Sequence, residues 1–307
     1  MAARLVSALA CPASLKGVLS AREAARCLAE GLARAGVEAE QCPIADGGEG
    51  TAEMLDARVA RRARVQDAFG RPREAPIWAL ADGTVVLQSA DAIPLDPGRL
   101  DVRAASSRGF GELIAAAGDC PRLLVGLGGT ATMDGGEGLL EVLDRLPAPT
   151  TVLCDTTATL TGAPARFGPQ KGASPDEIGE LEERFRGRPC GELPGSGAAG
   201  GVGAALASIG AELVPGAQYL FELTGFRERV ARADLVVTGE GAVDQTTFEG
   251  KAPGEALRVC EELGVRCVLF GGRVEAGMDA VALSGDPARA REDLEELGLS
   301  LGRFGLA

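Results

Sequence analysis

Apolar and polar positions alternate along most of the chain in a way that predicts short buried strands and amphipathic helices. The run "ARLVSALA", residues 3–10, is typical of a buried strand. The segment "SAREAARCLAEGLARAG" begins with a capping box at Ser20 and Glu23 and keeps helical spacing up to Gly36. "VEAEQCPIADGGEGT" follows as a second strand, and this order of elements favours a parallel sheet with right-handed crossovers.

The pattern of apolar and polar residues changes between Val59 and Leu95, where "VARRARVQDA", "REAPIWALAD" and "GTVVLQSA" indicate short strands joined as hairpins. Helix and strand then alternate again. "GFGELIAAAG" and "GLLEVLDRL", residues 138–146, are predicted helices, each followed by a predicted strand, "PRLLVGLGGT" and "TTVLCD". The last third returns to strand, helix and strand with "ADLVVTGE", "APGEALRVCEELG" and "VRCVLFGGR". We therefore predict an α/β protein with two α/β domains. Residues 1–62 plus 228–307 form a Rossmann-like parallel-sheet lobe, and residues 63–227 form an inserted second α/β lobe.

The composition narrows the class of ligand. The 307 residues carry a net charge of −13 and only 4% aromatic residues, so the surface repels phosphate backbones and anionic membranes and has little to stack on bases. No apolar run approaches the ~20 residues of a membrane span. We interpret the N-terminus as a strand rather than a secretion signal. We expect a small-molecule enzyme with no nucleic-acid or membrane partner, and either a monomer or a homodimer.

Two residue types restrict the chemistry further. The eight cysteines include no Cys-x-x-Cys pair, and we interpret them as free thiols of a cytoplasmic protein. Histidine is absent, which excludes Ser-His-Asp catalysis and imidazole zinc sites. A general base must then be Asp, Glu, Lys, Tyr or Cys.

Glycine and an acid follow a predicted strand four times, at residues 45–51, 128–136, 154–155 and 238–241. Ligands of open α/β sheets bind at the carboxyl ends of strands, and glycine there lets backbone amides approach phosphate. Acids beside these glycines suit Mg²⁺ carried by a nucleotide. A simple turn is the alternative for any one of the four.

The chain has only three lysines, Lys16, Lys171 and Lys251, and all three lie in glycine-rich or polar loops. We interpret them as point charges for phosphate or carboxylate, with solvated loop lysines as the alternative. The stretch "GSGAAG", residues 195–200, matches the dinucleotide fingerprint formally, but no predicted strand precedes it. A nicotinamide-dependent oxidoreductase therefore rests on this stretch alone.

The motifs "ADGGEGT", "GLGGTATMDGG", "FGPQKGA", "PGSGAAGGVGAAL" and "TGEGAVD...GKAP" together resemble the bacterial glycerate kinase family (type 1) in order and spacing. The segments "DAFGRP" and "SSRGFGELI" are weaker matches. The resemblance covers nearly the whole chain. It implies Mg²⁺-assisted transfer of a phosphoryl group from ATP to D-glycerate, giving 2-phosphoglycerate or 3-phosphoglycerate, in a cleft between two α/β domains.

The resemblance also suggests roles for individual residues. Catalytic roles fall to Asp46 or Asp244, as the base, and to Lys16 and Lys251. Glycerate and phosphate binding falls to Glu49, Thr51, Gly128, Gly129, Thr130, Lys171, Gly197, Gly200 and Gly201. Mg²⁺ binding, directly or through water, falls to Asp134, Asp155 and Glu240.

Five residues, at four sites, depart from the family pattern. Ala13 stands where an aspartate is usual, Met133 where an asparagine is common, and Thr246 where a glutamine is common. Ala158 and Thr159 replace an Asn-Pro pair. These departures keep two alternatives open: a kinase for another small hydroxy acid, and a catalytically weakened homologue that binds nucleotide or sugar acid.

Overall fold

The computed structural model describes residues 5–304, and these divide into two compact units. The first unit takes in the described residues up to Ala45 and from Ala217 onward, and the second is Asp46–Gly216. The first unit is thus built from both parts of the chain that flank the second. Each unit has its own sheet with helices packed on it, which confirms the predicted α/β fold class.

Strands and helices follow one another along most of the chain. The strands are β1 Ser7–Ala10, β2 Glu38–Gln41, β3 Arg58–Gln66, β4 Pro72–Ala79, β5 Val85–Gln88, β6 Leu123–Leu127, β7 Thr150–Cys154, β8 Glu212–Pro215, β9 Leu235–Val243, β10 Arg266–Val274 and β11 Val281–Ala282. The helices are α1 Ala21–Arg34, α2 Thr51–Met54, α3 Ser89–Ala92, α4 Arg108–Ala115, α5 Glu137–Leu140, α6 Ala163–Phe167, α7 Pro175–Phe185, α8 Val202–Ser208, α9 Gly216–Leu223, α10 Phe226–Val230, α11 Ala252–Leu263 and α12 Ala290–Phe304.

The first unit holds a five-stranded parallel sheet in the order β11-β10-β9-β1-β2. Leu28 and Leu32 of α1 pack with Leu294 of α12 in one apolar cluster, and Phe221 and Phe226 belong to another with Val259 of α11. Neighbouring residues of a strand point to opposite faces, and Val236 and Val237 fall in different clusters accordingly. Both faces of the sheet are therefore covered, as a parallel sheet requires.

The second unit holds a six-stranded sheet in the order β3-β4-β5-β6-β7-β8. β3, β4 and β5 pair antiparallel, as the hairpin pattern predicts, and β5 to β8 pair parallel. Phe110 and Leu113 of α4 and Val202 of α8 lie fully buried in the main core of this unit. Every residue of β6 and β7 is buried, so these two central strands are enclosed along their whole length.

The unit borders lie at 45/46 and 216/217, whereas the predicted domain boundaries lie near 62 and 228. The difference has two causes: β3 begins at Arg58 and pairs with β4, and Ala217 packs into a cluster of the first unit. The two ends of the second unit lie side by side. A Cβ built on Gly216 would be 2.0 Å from the carbonyl oxygen of Asp46.

The predictions for individual helices and strands are confirmed in some cases and wrong in others. The capping box of α1 is present as predicted, with the Glu23 amide donating to Ser20 Oγ at 3.2 Å. The helix predicted over 138–146 is wrong in extent, because α5 ends at Leu140 and Pro147 excludes a helix through Leu146. The first two residues of the predicted strand 3–10 lie outside the described residues. No helix within residues 5–304 is long and apolar enough to cross a membrane.

Candidate active site

The topology of the first unit marks one edge of its sheet as a ligand site. The chain passes from β1 to β2 on one side, and β9 then pairs with the other side of β1, so the strand order reverses between β1 and β9. Crevices of open α/β sheets form at the carboxyl ends of such strands. The loop after β1 and the end of β9 do meet there: a Cβ built on Gly241 would lie 3.6 Å from the Lys16 amide nitrogen.

A cavity of about 380 Å³ opens at this edge, entirely within the first unit. It brings together four of the predicted site residues, Lys16, Glu240, Asp244 and Lys251. The sequence places these residues far apart in two segments, and the parallel pairing of β9 with β1 unites them.

The acids of this group are held by their neighbours on the same loop. Thr247 donates its hydroxyl to Glu240 Oε1 at 2.8 Å, while Lys251 Nζ lies 3.6 Å from Glu240 Oε2. Asp244 caps the 3-10 turn Gln245–Phe248 and accepts the Thr246 amide at 2.8 Å. The loop is thus ordered by its own hydroxyls rather than by apolar packing.

Asp244 is kept ionised by this arrangement. Burial raises its pKa, but the hydrogen bonds from Thr246 and the charge of Lys251 outweigh burial and leave the pKa below its ordinary value. Thr246, a departure from the family pattern, also donates its hydroxyl to Asp244. The carboxylate can therefore accept a proton at neutral pH.

Arg273 also lines the cavity, and the sequence motifs do not include it. It lies next to the end of β10, opposite Ala242 of β9. A signal is present in "FGGR", where glycines and a basic residue end a predicted strand, but the motifs that mark the site all combine glycine with an acid.

In the second unit the loop after β2 lies across the ends of β6 and β7. A Cβ on Gly126 would come within 2.0 Å of the Gly47 carbonyl oxygen, and one on Gly47 within 2.6 Å of Leu153 Cβ. A Cβ on Gly128 would lie 2.7 Å from Asp155 Oδ2. Glycine is therefore required for this close approach, which places the loop of Asp46 beside Gly128 and Asp155.

The predicted site residues of the second unit include Lys171, which lies in the loop after α6. Its Nζ is buried and donates to the Thr132 carbonyl oxygen at 2.8 Å. Burial lowers the pKa of Lys171 to about 8, although the carboxylates of Asp155 and Asp134 oppose that shift. Asp155 itself is half-buried, so its carboxylate is accessible while the cation that interacts with it is buried.

Asp134, predicted to bind metal, has its carboxylate occupied by the protein. Ser107 donates both its amide and its hydroxyl to Oδ2 at 2.8 Å, and the amides of Gly136 and Gly138 donate at 3.1 Å. Its role as a metal ligand stays a prediction. Within residues 5–304 no group of three or more Asp, Glu, Cys or His side chains has the geometry of a metal site.

The remaining predicted site residues of the second unit differ in their solvent exposure. Glu49 is exposed, and Gly129 is half-buried. Thr51 is fully buried and donates its hydroxyl to the Gly48 carbonyl at 2.8 Å, which closes its own loop. Thr130 is buried too, and its hydroxyl has no partner in the described chain.

The glycine-rich stretch is packed rather than open. Cβ atoms on Gly197, Gly200 and Gly201 would come within 2.4, 1.9 and 2.6 Å of backbone atoms of the same unit. The residues directly before Gly195 form turns and no strand, contrary to what a dinucleotide fingerprint needs. Contact of these glycines with phosphate stays a prediction.

Three of the other departures from the family pattern are packed or hydrogen-bonded within the fold. Met133 is fully buried in an apolar cluster with Phe185, and the Ala158 carbonyl accepts the Gly197 amide at 3.0 Å. The Ala13 amide donates to the Gly239 carbonyl at 2.9 Å. These positions are thus integrated into the fold without the family's polar side chains.

Comparison with known proteins assigns the family. The sequence profile of the "Glycerate kinase family" matches residues 8–146 and 144–288, which is most of the chain. The chain belongs to the glycerate kinase family. The resemblance inferred from the motifs is thereby confirmed, as is the prediction of an enzyme of the kinase class.

Individual relatives agree with this assignment. The chain is similar to the glycerate kinase of Bacillus subtilis, at 33% identity over 88% of this chain and 86% of the relative. It is similar to the glycerate 2-kinase of Escherichia coli at 32% identity, over 79% of this chain and 78% of the relative. Among solved structures it resembles a glycerate kinase 2 from Salmonella typhimurium, with a TM-score of 0.72, 28% identity and coverage of 97% and 98%.

Proposed function

We propose that this glycerate kinase family member transfers the γ-phosphoryl group of ATP to a hydroxyl of D-glycerate, giving 2-phosphoglycerate or 3-phosphoglycerate. The observation that carries the proposal is the cavity at the carboxyl end of β9, where Asp244, Glu240 and Lys251 meet. Phosphoryl transfer needs positioning and neutralised charge more than covalent chemistry. A cavity lined by both carboxylates and cations suits that need.

Lys16 and Lys251 neutralise charge on phosphate in this proposal, and Asp244 or Asp46 accepts the proton of the glycerate hydroxyl. Asp244 suits the role of base by position, because it lines the cavity together with Lys16 and Lys251 and its lowered pKa means that it is unprotonated. Asp46 is half-buried and accepts the Gly48 amide through Oδ1 at 3.1 Å, which leaves Oδ2 for a proton.

The residues fit a magnesium ion only in part. Mg²⁺ at a nucleotide needs one or two carboxylates and keeps several waters, and Asp155 or Glu240 would supply such a ligand. Asp134 fits poorly, because four protein donors already use its oxygens. When bound, the ion would neutralise charge on the transferred phosphate.

Binding of the acceptor has its own support in the second unit. The unpartnered Thr130 hydroxyl is a buried polar group that a ligand oxygen would satisfy. Lys171 and Asp155 lie in the same unit, and we assign glycerate or phosphate binding to Thr130 and Lys171.

The test is ADP release by the pure protein with D-glycerate, L-glycerate or tartronate as acceptor, followed by NMR of the product to locate the phosphate. We expect turnover with D-glycerate to exceed that with the other two acids. Preference for tartronate or L-glycerate would instead favour a kinase for another hydroxy acid. Nucleotide binding without turnover of any acid would favour the weakened homologue.

The base is identified by two substitutions that keep the shape of the side chain, Asp46→Asn and Asp244→Asn. The variant that loses the base should lose about 10²-fold or more in kcat while still binding ATP. Near-normal kcat in both variants would contradict the assignment of either acid.

The cysteines bear on the cell compartment of the protein. All eight cysteines are free thiols, and five of them are buried, which is typical of a reducing compartment. We propose the cytoplasm on that ground. Whether the protein is a monomer or a homodimer stays a prediction.

A further inference from the structure

The cavity of the first unit has an apolar wall that the transfer of phosphate to glycerate does not require. Leu15, Leu283 and Ala290 line it and belong to the same apolar cluster, and Val18 and Pro287 extend this wall. The polar wall has three cations, Lys16, Lys251 and Arg273, together with Ser14 and the acids Glu240, Asp244, Asp286 and Asp293. A three-carbon acid carries polar groups on every carbon and has no surface for the apolar wall.

The size of the cavity also exceeds what the acceptor needs. About 380 Å³ lies within the range of pockets that enclose cofactors and drug-sized ligands. Such pockets are mainly apolar, with a few polar groups that fix the orientation of the ligand. A ligand that fills this one therefore has an apolar part and a charged part.

Arg273 identifies the charge of the polar part. Its side chain is exposed and has no hydrogen-bond or ion-pair partner among residues 5–304, unlike Lys251, which faces Glu240. A guanidinium binds phosphate through two parallel hydrogen bonds, so a free one at the polar wall suits a polyphosphate.

The geometry points to this cavity as the nucleotide site, with the purine base of a nucleoside triphosphate against Leu15, Leu283 and Ala290 and its phosphates at Arg273 and Lys16. The inference rests on the proposed function for the identity of the phosphoryl donor. It adds which cavity holds the donor and which residue, Arg273, anchors its phosphates.

Binding without chemistry tests the site. Titration of the full-length protein with a non-hydrolysable ATP analogue and with inorganic tripolyphosphate separates the base from the phosphates. Arg273→Ala should weaken both ligands by about tenfold. Val18→Ser and Leu283→Ala should weaken the analogue by about threefold each and leave tripolyphosphate unchanged. Arg232→Ala, an exposed arginine of the same unit outside the cavity, is the matched control and should change neither.

Val18 is exposed, so Val18→Ser keeps the test valid if Leu283→Ala lowers stability. Unchanged binding of the analogue in Arg273→Ala and Val18→Ser overturns the inference. A raised KM for glycerate in Arg273→Ala, with the KM for ATP unchanged, also overturns it. In both cases ATP-dependent turnover of D-glycerate by the unaltered protein leaves the proposed function standing, whereas absence of that turnover counts against the proposed function itself.

Discussion

Lys171 shows how a residue of the candidate site can be unfavourable for folding. Its ammonium group is buried and donates to the Thr132 carbonyl, and burial lowers its pKa to about 8. An unfolded lysine titrates near 10.4, so only the native state gives up this proton between the two values. Below pH 8 both states are charged, and the full penalty of burial applies.

Replacement of this lysine therefore has a pH signature. At neutral pH the buried charge lowers the free energy of unfolding by up to about 3 kcal/mol. As pH rises from about 8 to about 10.4, the native state loses this proton while the unfolded state keeps it, so the penalty is relieved and the protein becomes more stable. Lys171→Met should lack that pH-dependent gain. Denaturant unfolding of both proteins at neutral pH and at about pH 10 measures it.

Lys16→Met is the matched control, because Lys16 is exposed and its removal should leave the pH difference unchanged. An equal gain in Lys171→Met and the unaltered protein would show that Lys171 is not desolvated.

Substitutions at Asp134 and Asp155 should separate a role in stability from a role in catalysis. Asp134→Asn puts an amide against four donors, so at least one buried donor loses its acceptor, and we expect a loss of about 2–4 kcal/mol in the free energy of unfolding. Asp155→Asn, at a half-buried carboxylate, should cost less stability but lower kcat. Thermal unfolding and ADP release on the same samples distinguish the two. Similar stability in both variants would count against the structural role of Asp134.

At the scale of elements, α1 and α12 approach each other through glycine. A Cβ on Gly31 would lie 2.1 Å from the Glu295 carbonyl oxygen, and one on Gly298 would lie 2.4 Å from that of Leu28. Gly31→Ala should therefore force the helices apart and cost about 3 kcal/mol or more, because backbone rather than flexible side chain is in the way.

Gly179 is the matched control, since it is also inside a helix but has no atom within 4 Å of an added Cβ. Gly179→Ala should raise stability by about 0.5–1 kcal/mol. Thermal unfolding monitored by circular dichroism measures both changes. A lowered Tm for Gly179→Ala, or an unchanged one for Gly31→Ala, would contradict this account of the helix crossing.

Elements with strong local signals were predictable from the sequence. α1 and α7 both begin at a capping box, and α11 carries Pro253 in its first turn and ends before Gly264. The extent of α5 was not, because "GLLEVLDRL" has the composition of a helix throughout and Pro147 restricts only its last residue, whereas α5 already ends at Leu140. The close contact of Gly111 in α4 with Leu139 belongs to the tertiary structure, and no short window of sequence contains it.

The candidate site was predictable as motifs but not as a geometry. Strand-end glycines and acids led to residues that line the cavity and to others that surround Lys171. Arg273 was missed because only the pairing of β10 with β9 brings it to the same edge as the loop after β1. Asp134 and Asp155 both follow a predicted strand and look alike in sequence, and the two hydrogen bonds that Ser107 donates to Asp134 come from a loop that the motif does not contain.

At the scale of the whole molecule, the charged groups predict a flat stability profile near neutrality. The chain has no histidine, the side chain that ordinarily titrates between about pH 5 and 8. Hydrogen bonds and arginines hold the pKa of several carboxyls below their ordinary values, among them Glu23, Glu177, Asp234 and Glu262.

A carboxyl with a lowered folded pKa contributes stability above the unfolded pKa, near 4, and loses that contribution as pH falls through its folded value. We therefore expect a constant free energy of unfolding between about pH 5 and 7 and a steady fall below about pH 4. Urea midpoints across this range measure it. A slope in the neutral window would show that a group other than these carboxyls controls stability.

The side-by-side ends of the second unit have a consequence for how such a chain could arise and be rebuilt. Because Asp46 and Gly216 touch, the segment between them leaves and re-enters its host at nearly one point. A single splice in a gene is then enough to place the whole segment inside another protein, or to remove it and close the gap with a few codons. Joining these ends also offers a route to permuted chains in which new termini open on the surface of either part.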